Sequence, residues 1–502
     1  MTKQAKQWGA IIIMIALFAM IAFVTNLCTP MATIIKAQGP ISNVLAQIGN
    51  YGNFVAYLVM GIPAGMLISK FGYKKTALIG LAIGIIGILL QWCSGLIDPK
   101  SHLIAVFLVY LAGAFIAGLC MCILNCVVNP MLNILGGGGN KGNQLIQLGG
   151  VFNSTAAVAC YILMGALIGE ASKAKISDAT PALMIALAIF VIAFIVIACS
   201  KIQEPPTEKV DLSLIKGAMS HRNFALGALA IFLYMGIEVG VPNFVQQYLS
   251  TDVQETLDKK EVILSEYEAQ KIDATQAGTK LVSLTTDVDS IRATNDPEAI
   301  RDLDKEIEDA TYRVENKEIT TKSIKDTHPG LGISASTVGM IVAVYWFMML
   351  IGRLVGAMIG AKVSARTMIT TVSIATIILV VFGMFAPSDI QVNFPGVDWG
   401  KLKIIWQPVP LGIFSFLLVG LCTSVMWGGI FNMAVEGLGK YTAIASGIFM
   451  TMVFGCAVMM FIQAKVADVF GYIDSFWVVV ACAAYILFYA LVGSRVSKTS
   501  QN

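Results

Sequence analysis

Histidine and charge are both scarce in this chain. Of 502 residues only three are His and 13% are charged, while 57% are hydrophobic. Soluble domains carry roughly 25% charged and 45–50% apolar residues, so a water-soluble globule is excluded. The histidines, His102, His221 and His328, fall at a helix edge, in a central loop and in a polar segment, and no metal set or nucleophile–His pair assembles around them. The Gly-rich run Gly136 to Asn140 lacks the Gly-Lys-Ser/Thr continuation of a phosphate loop and reads as a helix connection. With neither feature, the chain is not expected to be an enzyme, and no cofactor beyond a coupling proton or sodium ion is expected.

A disulfide framework is missing too. All ten cysteines, among them Cys120, Cys122 and Cys126, lie in apolar stretches and read as small buried hydrophobes. No cleavable signal peptide is expected, because the first apolar stretch, Trp8 to Ile35, is too long for an h-region.

What remains is apolar sequence sustained over the whole length, with a mean hydropathy of +0.76. Such a chain must satisfy its backbone internally and face lipid, which predicts an all-α polytopic membrane protein. Crossings are expected near Trp8 to Ile35, Ile48 to Phe71, Thr76 to Leu96, Leu103 to Leu135, Leu145 to Glu170 and Pro181 to Ser200. Six more follow near Phe224 to Leu249, Ser334 to Ala361, Met368 to Ala386, Val409 to Leu438, Thr442 to Asp468 and Ser475 to Ser494. The organisation is an N-terminal six-helix bundle (1–200), a linker (201–222) and a C-terminal six-helix bundle (223–250 and 331–502), with an insert (251–330) between helices seven and eight.

Charge supports both the topology and the insert. With both termini cytoplasmic, inside flanks hold fifteen Lys and Arg against seven outside, the bias expected of a cytoplasmic-membrane protein. The basic excess thus reports topology and not nucleic acid. The insert carries 19 acidic and 11 basic residues, net −8, and falls on the extracytoplasmic side. Within it Leu281, Leu284, Val288 and Ile291, then Ile300, Leu303, Ile307, Ala310 and Val314, recur at helical spacing around a turn at Asn295 to Pro297. Two antiparallel amphipathic helices are expected, as a solvated spacer or as a docking module for a protein partner.

Inside the spans ionisable groups are few, which makes each informative. Only Glu238 falls near the middle of a helix, where it would hydrogen-bond a polar solute or load a coupling proton, or serve as a structural carboxylate paired with a buried base. Arg353 is the one basic residue well inside a span, suited to snorkelling, gate pairing or solute contact. Carboxamides at Asn125, Asn129, Asn153, Gln246, Gln247, Asn432 and Gln463 offer donor and acceptor together, and Tyr234, Trp346 and Trp427 offer flat faces for a sugar ring. Each amide also suits interhelical bonding. Pro130 and Pro242 beside them are expected to interrupt their helices. A weak internal repeat places Gly61 and Gly65 before Lys70, and Gly352 and Gly356 before Lys362.

The string "GMLISKFGYKK", with Gly65, Leu67, Lys70, Gly72, Lys74 and Lys75, resembles the short cytoplasmic loop motif of the major facilitator superfamily, with Ser69 where that motif has an acid. "NCVVNPMLNILG", "FNS" from Phe152, "YMGIEVGVPNFVQQYL", "YWFMMLIGRLVGAMI" and "IFNMAVEGLGKYTAIASGIFM", the last holding Glu436 and Lys440, resemble its fucose/galactose/glucose proton symporter branch. The resemblance implies the twelve-helix major facilitator fold and a monosaccharide substrate. It sets Glu238 at the family's Gln/Glu sugar-contact position, Asn129 and Asn153 at its helix-four and helix-five Asn, and Gln247 at an outer polar position of helix seven. Two acids of the fucose permeases are replaced, by Thr29 and Asn125, which leaves the coupling ion open. Gly150 stands for a family Gln and Gly428 for a Pro.

The expectation is an alternating-access transporter of a hexose or deoxyhexose, cation-coupled, with Glu238 as coupling residue. A facilitator, a carrier of another polar solute and a membrane sensor acting through the insert are the alternatives.

Overall fold

The computed structural model describes residues 3–37, 41–97, 99–136, 139–168, 176–200, 204, 211–359, 363–398 and 403–495. The first half is built from α1 (Lys3–Asn26), α2 (Cys28–Ala37), the single turn α3 (Asn43–Ala46), α4 (Ile48–Ser94), α5 (Pro99–Leu135), α6 (Gly139–Ile168) and α7 (Thr180–Cys199). A short α8 (Ile215–Ser220) leads into α9 (Arg222–Ser250). The insert is formed by α10 (Gln254–Glu268), α11 (Ala274–Ser283), α12 (Val288–Ala293), α13 (Pro297–Glu315) and α14 (Thr321–Lys325). The second half then continues with α15 (Ala335–Ile359), α16 (Ala365–Phe385), strands β1 (Gln391–Asp398) and β2 (Lys403–Pro410), α17 (Leu411–Thr423), α18 (Met426–Val435), α19 (Thr442–Met452), α20 (Gly455–Phe470) and α21 (Trp477–Phe488). The linker expected over 201–222 lies in part outside the described residues.

Eleven segments among the described residues are long and apolar enough to cross a membrane. Each falls on an expected crossing, and eleven segments stand against twelve expected because α4 covers the stretch where the second and third are expected. Its 47 residues would span about 70 Å if straight, more than twice a hydrocarbon core. Gly72 breaks it, at φ 79° and ψ 173°, a conformation open to glycine and costly for other residues. Lys74, just past the break, donates to the carbonyls of Ala198 (3.0 Å) and Ser200 (2.7 Å) and so caps the end of α7.

The helices expected to be interrupted at Pro130 and Pro242 pass those prolines unbroken, and α5 departs from helical geometry instead at His102, near its start. Both α5 and α9 run through their prolines, Pro130 and Pro242. Neighbouring helices supply enough packing for a membrane helix to carry a Pro without ending. Breaks fall instead at Leu27, at Ser424–Val425 and at Val453–Phe454, splitting expected crossings one, ten and eleven into α1/α2, α17/α18 and α19/α20.

Two seams join the halves. Where α6 meets α15, a Cβ built on Gly165 would stand 3.1 Å from Gly339 Cα, so backbone lies on backbone. Where α4 meets α19, Gly61 lies against the backbone of Thr451. Gly352 and Gly356 pack within the second half, on Ser424 and Val425, unlike Gly61.

The loop before α17 holds an antiparallel hairpin that the sequence reading lacked. Val392↔Val409, Phe394↔Gln407 and Gly396↔Ile405 pair on one face, and Pro395↔Trp406 and Val397↔Ile404 on the other. The insert also differs from two antiparallel helices. The run Leu281 to Ile291 is divided, because Asp287 caps a new helix through Ser290 N–H. Asp296 and Pro297 start α13 as the turn predicts. Unexpected α10 and α14 complete a small core of Ile263, Leu264, Ala277, Leu281 and Val314, with Ile324 against it.

Candidate functional site

Tyr234 and Glu238 lie one turn apart on α9 and share a face. Toward them points Arg353 of α15, whose Nη2 is 3.9 Å from Glu238 Oε1, with 13% and 14% of the two side chains exposed. Nη1 of the same guanidinium donates to α6 in the other half. It reaches the carbonyl of Gly150, Ser154 Oγ at 2.9 Å and Asn153 Oδ1 at 3.3 Å. Asn153 Nδ2 in turn donates to the carbonyl of Phe18 on α1 at 2.9 Å. A buried charge needs a partner or several hydrogen-bond acceptors, and Arg353 has both.

The break after α17 contributes to the same place. Thr423, its last residue, accepts from the Tyr234 hydroxyl through its carbonyl at 3.3 Å and pairs with the Tyr345 hydroxyl through Oγ1 at 3.1 Å. Aromatic rings wall the region. Trp346 stands edge-on to Tyr345 (5.4 Å, 84°) and beside Tyr161 (6.3 Å), and Trp427 lies beside Tyr234 (6.3 Å). An acid, a base and hydroxyls among flat apolar faces suit a neutral, hydroxyl-rich solute.

The structure thus brings Glu238, Arg353, Asn153, Trp346 and Trp427 into one neighbourhood. Other expected site residues are engaged differently. Asn125 donates to the Tyr57 hydroxyl on α4 (3.0 Å) and to Met121 O (3.1 Å), and Asn129 donates to Asn125 O on its own helix (3.1 Å). Gln247 lies nine residues beyond Glu238, about 13 Å along α9, with its amide buried and without a hydrogen-bond partner. Gly65 is on the first limb of α4, Lys70 lies over the Phe71 ring, and Lys75 is exposed. Glu436 follows α18 and gives its carbonyl to Asn223 Nδ2 at 2.9 Å. The side chain of Lys440 lies outside the described residues.

Sequence reasoning missed the pairing of Glu238 with Arg353, although these are the rare charges within spans and scarcity alone argues that they meet. It also missed a polar seal at the end of the bundle that carries the insert. There Asn243 of α9 exchanges hydrogen bonds with Gln47 (2.8 and 3.0 Å) and donates to Thr29 (3.2 Å). Gln246 donates to Thr33 at 3.1 Å. Lys36 donates to the Tyr472 hydroxyl, which also bonds Asn43 (3.1 Å) and Thr251 (3.0 Å). These bonds tie the first half to the second, so this end is shut.

The profile of the Major Facilitator Superfamily matches residues 9–257. A glucose/galactose transporter of Brucella abortus is 24% identical over 506 residues, covering 98% of this chain and 96% of that protein. A putative glucose/galactose transporter of Helicobacter pylori is 23% identical and covers 97% of each. Among solved structures, the Escherichia coli fucose:proton symporter superposes with a TM-score of 0.59 over 97% of this chain and 98% of that one, at 15% identity. The chain thus has the major facilitator fold, and its first half matches the family profile.

Proposed function

We propose that this protein is a secondary transporter that carries a monosaccharide across the cytoplasmic membrane by alternating access, in symport with a proton held at Glu238. The observation that carries the reading is the Glu238–Arg353 pair set among Tyr234, Tyr345, Trp346 and Trp427 where α6 of one half meets α15 of the other. The likeness to glucose/galactose transporters along nearly the whole chain favours a hexose.

A sugar hydroxyl donates to Glu238, while its ring lies on an aromatic face. Thr29 and Asn125 carry no acid, and Glu238 is the carboxylate near the middle of a span that takes the proton in this reading. The excess of basic residues on one side supports cytoplasmic termini and an extracytoplasmic insert. The seal then closes the outer end until the halves rock.

The test is uptake and counterflow of labelled hexoses in proteoliposomes, with and without a pH gradient, for wild type and Glu238→Gln. Gradient-driven accumulation that collapses to simple exchange in the variant is expected. Sugar exchange indifferent to the gradient would make the protein a facilitator or a carrier of another ion, and no exchange of any hexose would remove the sugar.

A further inference from the structure

We propose that Arg353 is a positioning residue, a latch between the halves whose grip on α6 is set by the charge on Glu238. The inference rests on the reading of Glu238 as the coupling carboxylate and extends it to how that charge reaches the rest of the molecule.

Arg353 belongs to α15 of the second half, yet its Nη1 is bound to the first half, at Gly150 O, Ser154 Oγ (2.9 Å) and Asn153 Oδ1 (3.3 Å). Its Nη2 faces Glu238 on the second half at 3.9 Å, beyond hydrogen-bond reach. The two sides of the guanidinium are therefore held by different forces. The bonds to α6 are directional hydrogen bonds to neutral acceptors. The attraction to Glu238 is Coulombic and vanishes when the carboxylate takes up a proton.

Among the described residues, the other groups that interact with Glu238 are Tyr234 on its own helix, Tyr345 on α15 and Cys456 on α20, none of them cationic. Arg353 is thus the group through which a change of charge is felt. Gly150 leaves it room: a Cβ there would stand 3.1 Å from Arg353 Cδ and 3.3 Å from Nη1. An ionised Glu238 draws Arg353 toward its own half and loosens the latch. A proton on Glu238, or a solute hydroxyl donating to it, leaves Arg353 to α6 and tightens the latch.

The test uses full-length protein in proteoliposomes, with spin labels attached by non-cysteine chemistry at Leu45 and Phe470. Both positions are exposed, at the sealed end and on opposite halves. In wild type the label distance is expected to change between acidic and mildly alkaline pH. Arg353→Gln is expected to lose that response, and Glu238→Gln added to Arg353→Gln to change nothing further. Gly150→Ala crowds the guanidinium without touching its charge and is expected to blunt the response. It carries the test should Arg353→Gln not fold.

A pH response that survives in Arg353→Gln or in Gly150→Ala, or that is absent in wild type, overturns the latch. Hexose counterflow by the same wild-type vesicles tests the sugar separately. A pH response without sugar exchange keeps the latch and removes the substrate.

Discussion

Asp468, near the end of α20, accepts the backbone N–H of Asn43 at 2.8 Å and that of Val44 at 3.3 Å. A carboxylate of the second half thus binds two main-chain donors of the first, in a place where side-chain substitution on the donor side cannot remove the contact. Asp468→Ala is expected to weaken the closed end by about 1–3 kcal/mol, the usual effect of a charged hydrogen-bond group. The check is a longer Leu45-to-Phe470 label distance than in wild type, and an unchanged distance would show that the bond does not hold the seal.

Tyr472→Phe removes one hydroxyl that serves Lys36, Asn43 and Thr251 together. The ring and its packing stay, so the loss is confined to hydrogen bonding. An opening in the same direction as Asp468→Ala is expected, at roughly 1 kcal/mol per bond lost. Because the two residues share Asn43, their effects should fall short of additive in the double variant. Additive effects would mean that the seal is two independent contacts.

Removing the insert should spare transport if its base is kept. Gly330 N–H bonds Asp252 O (2.8 Å), Leu331 N–H bonds Tyr248 O (3.0 Å) and Gly332 N–H bonds Thr251 O (2.7 Å), so the chain enters and leaves the insert at one point. Replacing residues 253–329 by a short Gly-Ser linker is expected to keep hexose counterflow. Extending the deletion through Thr251 removes a partner of Tyr472 and is expected to shift the label distance. Loss of flux in the first variant would favour a sensory or gating role for the insert.

Gly339→Val places two methyl groups where α15 meets α6. A Cβ on Gly339 already stands 3.0 Å from Gly165 Cα, and neither backbone has a rotamer by which to yield. Overpacking of this kind costs about 1–3 kcal/mol. A lower melting temperature in detergent is expected, partly restored by no single change on the facing helix because that residue is already glycine. An unchanged melting temperature would show that the seam opens freely.

The crossings and the lone carboxylate of α9 were legible because lipid imposes long apolar runs and makes each internal charge conspicuous. The partner of Glu238 was not, since spacing carries no information across 115 positions that include a folded insert. The hairpin escaped for a local reason: Pro395 and Pro408 punctuate its strands, and Pro is ordinarily a mark against a strand. In the insert the period-3.6 pattern of Leu281 to Ile291 runs across Thr285, Thr286 and Asp287, and the structure follows the Asp cap there and not the pattern. The interruptions at Leu27, Ser424 and Val453 carry no proline, which is why residues 130 and 242 looked the better candidates.

The seam between Gly165 and Gly339 gives α15 a lever arm. Arg353 lies fourteen residues from Gly339, about 21 Å along the helix. A rocking of the halves by about 15°, the size of known subunit rotations, would sweep a point at that radius through about 5 Å. That travel is relative to α6 of the other half, and it exceeds the 2.9 Å between Arg353 and Ser154. A contact that scarcely moved at one end of the helix would thereby become, at the guanidinium, a stroke long enough to part it from α6.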